Sequence, residues 1–238
     1  MACAISWCAF AKSTRPRLDR PTRTAAVAVL LIGLNACGGQ EPGEEARTSL
    51  ARVAGTACLK PILATAVVVD DGLLLTVAHA VAGADPDLTV IDLDGTERAA
   101  QVIAFDPARD LALLEVDGFT SPIEMGEAVA ETTGTIGAVG SDLTVETIPY
   151  RIIRIVSASS GDIYDEGQVL RQALEIEASV GPGDSGAPLL DEEGAMVGML
   201  FAASEGVDGS AWALHVSEIE SFLDSPRPGA EVDRGRCR

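Results

Sequence analysis

Nowhere in its 238 residues does this chain hold the roughly 20 continuous apolar residues that an ordinary membrane-spanning helix needs. It is also short of positive charge, with 17 Lys and Arg against 36 Asp and Glu. Five of the basic residues (Lys12, Arg15, Arg17, Arg20 and Arg23) and one acid, Asp19, precede residue 37, so the rest is more acidic still. A surface of that sign repels phosphate backbones, which excludes nucleic acid as a partner. Histidine is scarcer: His79 and His215 stand far apart, with no close Cys/His spacing of the kind a metal site uses. No metal or other cofactor is expected. Aromatics contribute only 4%, and there is neither an internal repeat nor a low-complexity tract. What remains suffices for a folded body, since 47% apolar against 22% charged residues excludes wholesale disorder. The length suits one large β domain or two small lobes.

The N-terminal region carries an address. Four arginines in residues 15–23 precede the apolar run 25–34 (AAVAVLLIGL), and small residues follow up to Cys37. A basic stretch, a short apolar stretch and a small-residue junction form an export signal. Leu34-Asn35-Ala36-Cys37 is similar to the lipobox of bacterial lipoproteins, so residues 1–37 are read as a signal ending at a lipidated Cys37. The expected location is the cell envelope or periplasm, with a lipid anchor as the sole membrane attachment. Residues 38–50, rich in Gly and Glu, read as a solvated tether. Cys3 and Cys8 fall in the part to be removed, which leaves Cys58 and Cys237; an even pair in an exported chain reads as a disulfide, with two free thiols as the alternative.

From residue 60 short β-runs alternate with turns, over 62–69, 73–77, 88–92, 98–105, 111–116, 132–139, 143–156, 170–178, 195–201 and 211–216. Only 217–223 looks helical, with Ser217 as its N-cap. The spacing argues for barrels or a sandwich. A composition change near 121–131 marks an inter-lobe linker, and 225–238 reads as a tail with little to bury.

Three segments carry chemistry. In Leu75-Thr76-Val77-Ala78-His79 a strand ends on a histidine; Asp110 immediately precedes the apolar run from Leu111; and Gly183-Asp184-Ser185-Gly186 sets a serine in a glycine-rich turn before another strand. Taken singly, these are a structural histidine, a turn aspartate and a tight turn. Together they supply a nucleophile, a base to take its proton and a carboxylate to fix the base's tautomer. The glycines free backbone N–H groups to face a developing oxyanion. His215 reads as a partly buried strand residue.

In these motifs the chain resembles the chymotrypsin-like serine proteases. In residues 150–157 (YRIIRIVS), 161–164 (GDIY) and 197–203 (VGMLFAA) it is similar to the actinobacterial, membrane-linked acid-resistance protease group. The resemblance covers about 55–224. It implies an all-β fold of two six-stranded antiparallel β-barrels, chymotrypsin-like, with a short C-terminal helix. The protease domain would be 51–224, its barrels about 51–121 and 132–216. It further implies His79 as base, Asp110 as its orienter and Ser185 as nucleophile, with the N–H groups of Gly183 and Ser185 as oxyanion hole. Ser179 would lie at the base of the specificity pocket and Ala202, Ala203 and Ser204 along its wall. No acid stands at Ser179, so Lys or Arg is not favoured. A Cys58–Cys237 pair fits the group as well. The expected partners are protein or peptide substrates, and the enzyme is expected to act as a monomer. Ala187, and Ala64 and Ala66 around Thr65, replace glycines usual in the family; their methyls are expected to tighten the cleft. A catalytically weak peptide-binding or sensing module, and an esterase using the same three residues, are the competing functions.

Overall fold

The computed structural model describes residues 44–204, 206–225 and 232–237. Helix α1 (Glu44–Thr48) leads into β1 (Leu50–Ala54), the short pair β2 (Thr56–Ala57) and β3 (Lys60–Pro61), then β4 (Ala64–Asp70) and β5 (Leu73–Thr76). After helix α2 (Ala78–Val81) come β6 (Thr89–Ile91), β7 (Glu97–Ala99), β8 (Gln101–Asp106) and β9 (Leu111–Glu115). The second half holds β10 (Thr133–Val139), β11 (Val145–Ser160), β12 (Val169–Glu177), β13 (Pro188–Leu190), β14 (Met196–Ala203), β15 (Ser210–His215) and helix α3 (Val216–Leu223). The segment read as an export signal, with Cys37, lies outside the described residues.

Two antiparallel barrel-like sheets result, as expected. The first runs β7-β6-β1-β4-β5-β9-β8, and the second closes as β10-β11-β12-β15-β14-β13. The first has seven strands rather than six because the run expected over 98–105 divides at Ala100, whose N–H still reaches the Leu88 carbonyl beside β6 (2.9 Å), whereas pairing with β9 begins at Gln101. On either side of that break β7 pairs with β6 and β8 with β9, so one stretch of chain joins both ends of the sheet.

The apolar runs that do not alternate with polar residues are strands buried on both faces. In β4, Ala64, Ala66 and Val68 point into the first barrel's core, and Val67 points the other way. Leu74 and Leu75 in β5, and Leu114 and Leu113 in β9, divide likewise. The outward set meets Val139, Leu190, Met196, Met199 and Leu214 of the second barrel in a shared interface core. The second barrel keeps its own core, including Ile136, Ile152, Leu174 and Ile176. A fully buried side chain of this size contributes about 1.5–3 kcal/mol, so the interface holds the barrels firmly together. Two of the three motif-bearing segments, 77–79 and 110–111, sit on its first-barrel side.

The tether reading runs too far toward the body. Residues 44–48 are helical, and Ala46, Ser49 and Leu50 are buried, because the first sheet needs β1 between β6 and β4. The Ser217 cap is also displaced. The chain passes from β15 into α3 without a loop, so His215 is the N-cap and its ring accepts the Ser217 N–H. Among the described residues no helix is long and apolar enough to cross a membrane.

Candidate active site

His79 stands where a buried strand gives out. Thr76 ends β5, Val77 is extended, and the backbone then coils into α2, held down by the buried Ala78 and Val81. Asp110 is delivered by a tight turn in which the Asp106 carboxylate accepts the N–H groups of Ala108 and Arg109 (both 2.9 Å). The Arg109 guanidinium closes back on Asp106 at 2.8 Å and reaches Glu218 of α3 at 3.1 Å. Asp110 adopts the left-handed region, φ 62°. That conformation turns its carbonyl to the Ala78 N–H (3.1 Å) and one carboxylate oxygen to the His79 N–H (2.8 Å). The other oxygen, Oδ2, lies 2.7 Å from His79 Nδ1. Asp110 is 5% exposed. A carboxylate only accepts, so Nδ1 carries the proton and Nε2 is left as the acceptor.

The Ser185 turn is fixed by its own polar groups. Asp184 accepts the Gly181 N–H (2.7 Å), and the Ala187 N–H reaches the Asp184 carbonyl (3.0 Å). Gly186 and Ala187 pair with Leu200 of β14 at 2.8 and 2.9 Å. Gly183 takes φ +105°, a conformation that favours glycine. Among the described residues neither the Gly183 N–H nor the Ser185 N–H has an acceptor, and Ser185 Oγ is unbonded. The Ser185 carbonyl accepts the Thr65 N–H of β4 at 2.9 Å, which ties the turn to the first barrel beside the strand that leads to His79.

Two backbone bonds border the residues expected along a specificity pocket. The Gly209 carbonyl accepts the Ala178 N–H, and the Ser210 carbonyl accepts the Ser204 N–H (both 2.9 Å). Ser179, next to Ala178, is exposed; Ala202 and Ala203 end β14, and Ser204 follows it. A cavity of about 200 Å³ is lined by His79, Leu63, Pro61, Ile62 and Cys58. A roomier cavity, about 560 Å³, between α1 and residues 193–195 touches none of His79, Asp110 and Ser185. The Cys58 and Cys237 sulfurs stand at bonding distance, their Cα atoms 5.5 Å apart. The glycine replacements do not narrow the cleft. Ala187 buries its methyl in the second barrel's core, and Ala64 and Ala66 bury theirs in the first.

Two features escaped the sequence reading. Glu218 joins Arg109 to the Gln172 N–H (2.8 Å), linking the Asp110 turn to α3 and β12. Thr65 bonds both barrels, and the one signal for it was a hydroxyl inside an Ala-Val strand, where a buried polar group must find partners.

Residues 64–199 match the trypsin-like peptidase domain family. Serine protease Rv3671c of Mycobacterium tuberculosis is 31% identical over 185 residues, 76% of this chain and 46% of its own. Serine protease Do-like HtrB of Bacillus subtilis is 27% identical over 177 residues, 69% of this chain and 38% of its own. The chain thus spans less than half the length of these two curated relatives. The crystal structure of the active form of the Rv3671c protease superposes with a TM-score of 0.76 at 27% identity, covering 81% of this chain and 86% of that one. The family match takes in more than half of the chain and strands of both sheets. The chain therefore belongs to the trypsin-like peptidases and has their chymotrypsin-like fold.

Proposed function

We propose that this protein is an exported serine endopeptidase that cleaves cell-envelope or extracellular polypeptides through His79, Asp110 and Ser185. The observation that carries the reading is the double grip of Asp110 on the backbone and ring of His79, which leaves Nε2 free to accept a proton. Ser185 Oγ attacks the scissile carbonyl carbon as its proton passes to His79 Nε2. The carbonyl oxygen becomes an oxyanion facing the N–H groups of Gly183 and Ser185. The imidazolium, steadied by Asp110, then protonates the departing amine, and an acyl group remains on Ser185. Water attacks that ester with His79 again taking the proton; the acyl–Oγ bond then breaks as His79 returns the proton to Ser185 Oγ, and the acid product leaves.

Ser179 and the end of β14 offer neutral groups to the side chain before the scissile bond. The periplasmic names of several relatives and the export signal ending at Cys37 support an envelope location. A Cys58–Cys237 disulfide suits such an oxidising compartment.

A fluorophosphonate probe should label the wild-type protein at Ser185 and leave Ser185→Ala unlabelled. His79→Ala should lose nearly all labelling, because base and nucleophile act as a unit. Labelling of folded Ser185→Ala at the wild-type rate would overturn the assignment.

A further inference from the structure

Each polar atom of Thr65 holds a different part of the molecule. Its N–H donates to the Ser185 carbonyl at 2.9 Å. Its carbonyl accepts the hydroxyl of Thr76, three residues before His79, at 2.8 Å. Its own hydroxyl accepts the N–H of Val139, the last residue of β10, at 2.9 Å across 74 residues of sequence. The side chain is fully buried (0% exposed). There is no slack around it. A Cβ built on Gly186 would come within 2.2 Å of the Thr65 carbonyl oxygen and 2.9 Å of Thr76 Oγ1.

We propose that Thr65 is a positioning residue for the hydrolytic reaction. Its hydroxyl pins the second barrel, through Val139, to the same residue whose backbone fixes the Ser185 turn and the strand leading to His79. The inference rests on the reading of His79 and Ser185 as base and nucleophile. Its physical ground is that β4 is otherwise Ala and Val at this level, and a buried hydroxyl is costly without a partner. A valine fills the same volume, so what the threonine adds is the bond to Val139. That bond is the one link of the three made by the side chain, and it can be removed while both backbone links stay. Without it, β10 is free to shift against β4, and the distance between Ser185 Oγ and His79 Nε2 is no longer set. Misplacement of reacting groups by about 1 Å costs on the order of 100-fold in rate.

The test compares wild type, Thr65→Val and Thr65→Ser in the full chain, each well below its own melting midpoint. A fluorophosphonate probe is titrated to separate its binding constant from its maximal rate of labelling at Ser185. In Thr65→Val the maximal rate should fall by about 10- to 100-fold, with the binding constant within twofold of wild type. Thr65→Ser, which keeps the acceptor, should recover most of the rate. A lowered melting midpoint with an unchanged maximal rate overturns the proposal, because a residue that only stabilises the fold would give that result. Equal slowing in Thr65→Ser and Thr65→Val also overturns it. If Thr65→Val does not fold, Thr65→Ala, which leaves room for a water at the Val139 N–H, carries the same comparison. Folded wild type that the probe fails to label overturns the nucleophile reading and the positioning role together. Labelled wild type with an equally fast Thr65→Val overturns the positioning role alone.

Discussion

Gly186 shows how little room separates the Ser185 turn from the first barrel. It takes φ +83°, and a methyl there would meet the Thr65 carbonyl oxygen at 2.2 Å. Backbone strain of about 1–2 kcal/mol adds to an overpacking cost of about 1–3 kcal/mol. Gly186→Ala should therefore lose stability in urea titration and label at Ser185 at least about 100-fold more slowly; labelling at the wild-type rate would show that the turn can move away from Thr65 at no cost to the chemistry. At this scale the sequence was most legible where chemistry is local. His79, Asp110 and Ser185 stand out because each sits at the edge of a β-run in a short motif. Thr65 did not stand out because its partners are Val139 and Ser185, remote in the chain. The methyls of Ala187, Ala64 and Ala66 were misjudged for a related reason. A motif says which residues flank the serine, but the direction of each side chain depends on which barrel the local strand faces.

Element boundaries were legible wherever turn residues punctuate apolar runs, as at Asp70-Asp71-Gly72 between β4 and β5. They were lost where an element is too short to show a period. α2, which carries His79, has four residues, and β13, which closes the second barrel, has three. At α3 the rule for caps was right in kind, but the join was hidden, since β15 runs straight into the helix. The histidine cap has a consequence that a serine would not have. His215 Nδ1 accepts the Ser217 N–H at 3.1 Å, which requires an unprotonated Nδ1. Burial pushes the His215 pKa down from its ordinary value of 6.5, while Glu218 and Glu220 pull the other way without cancelling the shift. The unfolded chain therefore binds a proton more readily than the folded one, so stability is lost as pH falls through about 6.5 and below. Replacing the residue by asparagine keeps a side-chain cap that does not titrate. Unfolding free energies of wild type and His215→Asn, measured from about pH 8 to pH 5, should diverge on the acid side, with wild type losing more. Parallel curves throughout would mean that the cap does not titrate in this range.

The whole molecule is held by the shared core between the barrels and by the C-terminal segment that crosses them. From sequence alone the tail has little to hold it besides Cys237, because residues 225–236 offer almost nothing to bury. The described part, 232–237, is held at more points than that. The Val232 N–H reaches the Val102 carbonyl at 3.2 Å, and the Arg234 carbonyl accepts the Gly83 N–H at 3.0 Å. Arg236 lies over the Tyr164 ring, 4.6 Å from its centroid, and pairs with Glu166 in the β11–β12 loop. The tail thus touches both barrels before it ends beside Cys58, which lines the cavity next to His79. A Cys58–Cys237 bridge would close a separation of 179 residues. For so large a loop the chain-entropy contribution is about 5 kcal/mol, an upper figure because native strain subtracts from it. The surrounding hydrogen bonds do not substitute for the bridge, since exposed ones are exchanged for water when the tail lifts. Reductant should therefore lower the melting midpoint of wild type by on the order of 10 °C. It should leave a Cys58→Ser, Cys237→Ser double variant, already low, where it was. Probe labelling at Ser185 should slow in the reduced protein as the wall beside His79 loosens. Alkylation under non-reducing conditions gives the decisive outcome: modification of both cysteines in native, oxidised protein would mean that two free thiols face each other and that the tail is held by its polar contacts alone.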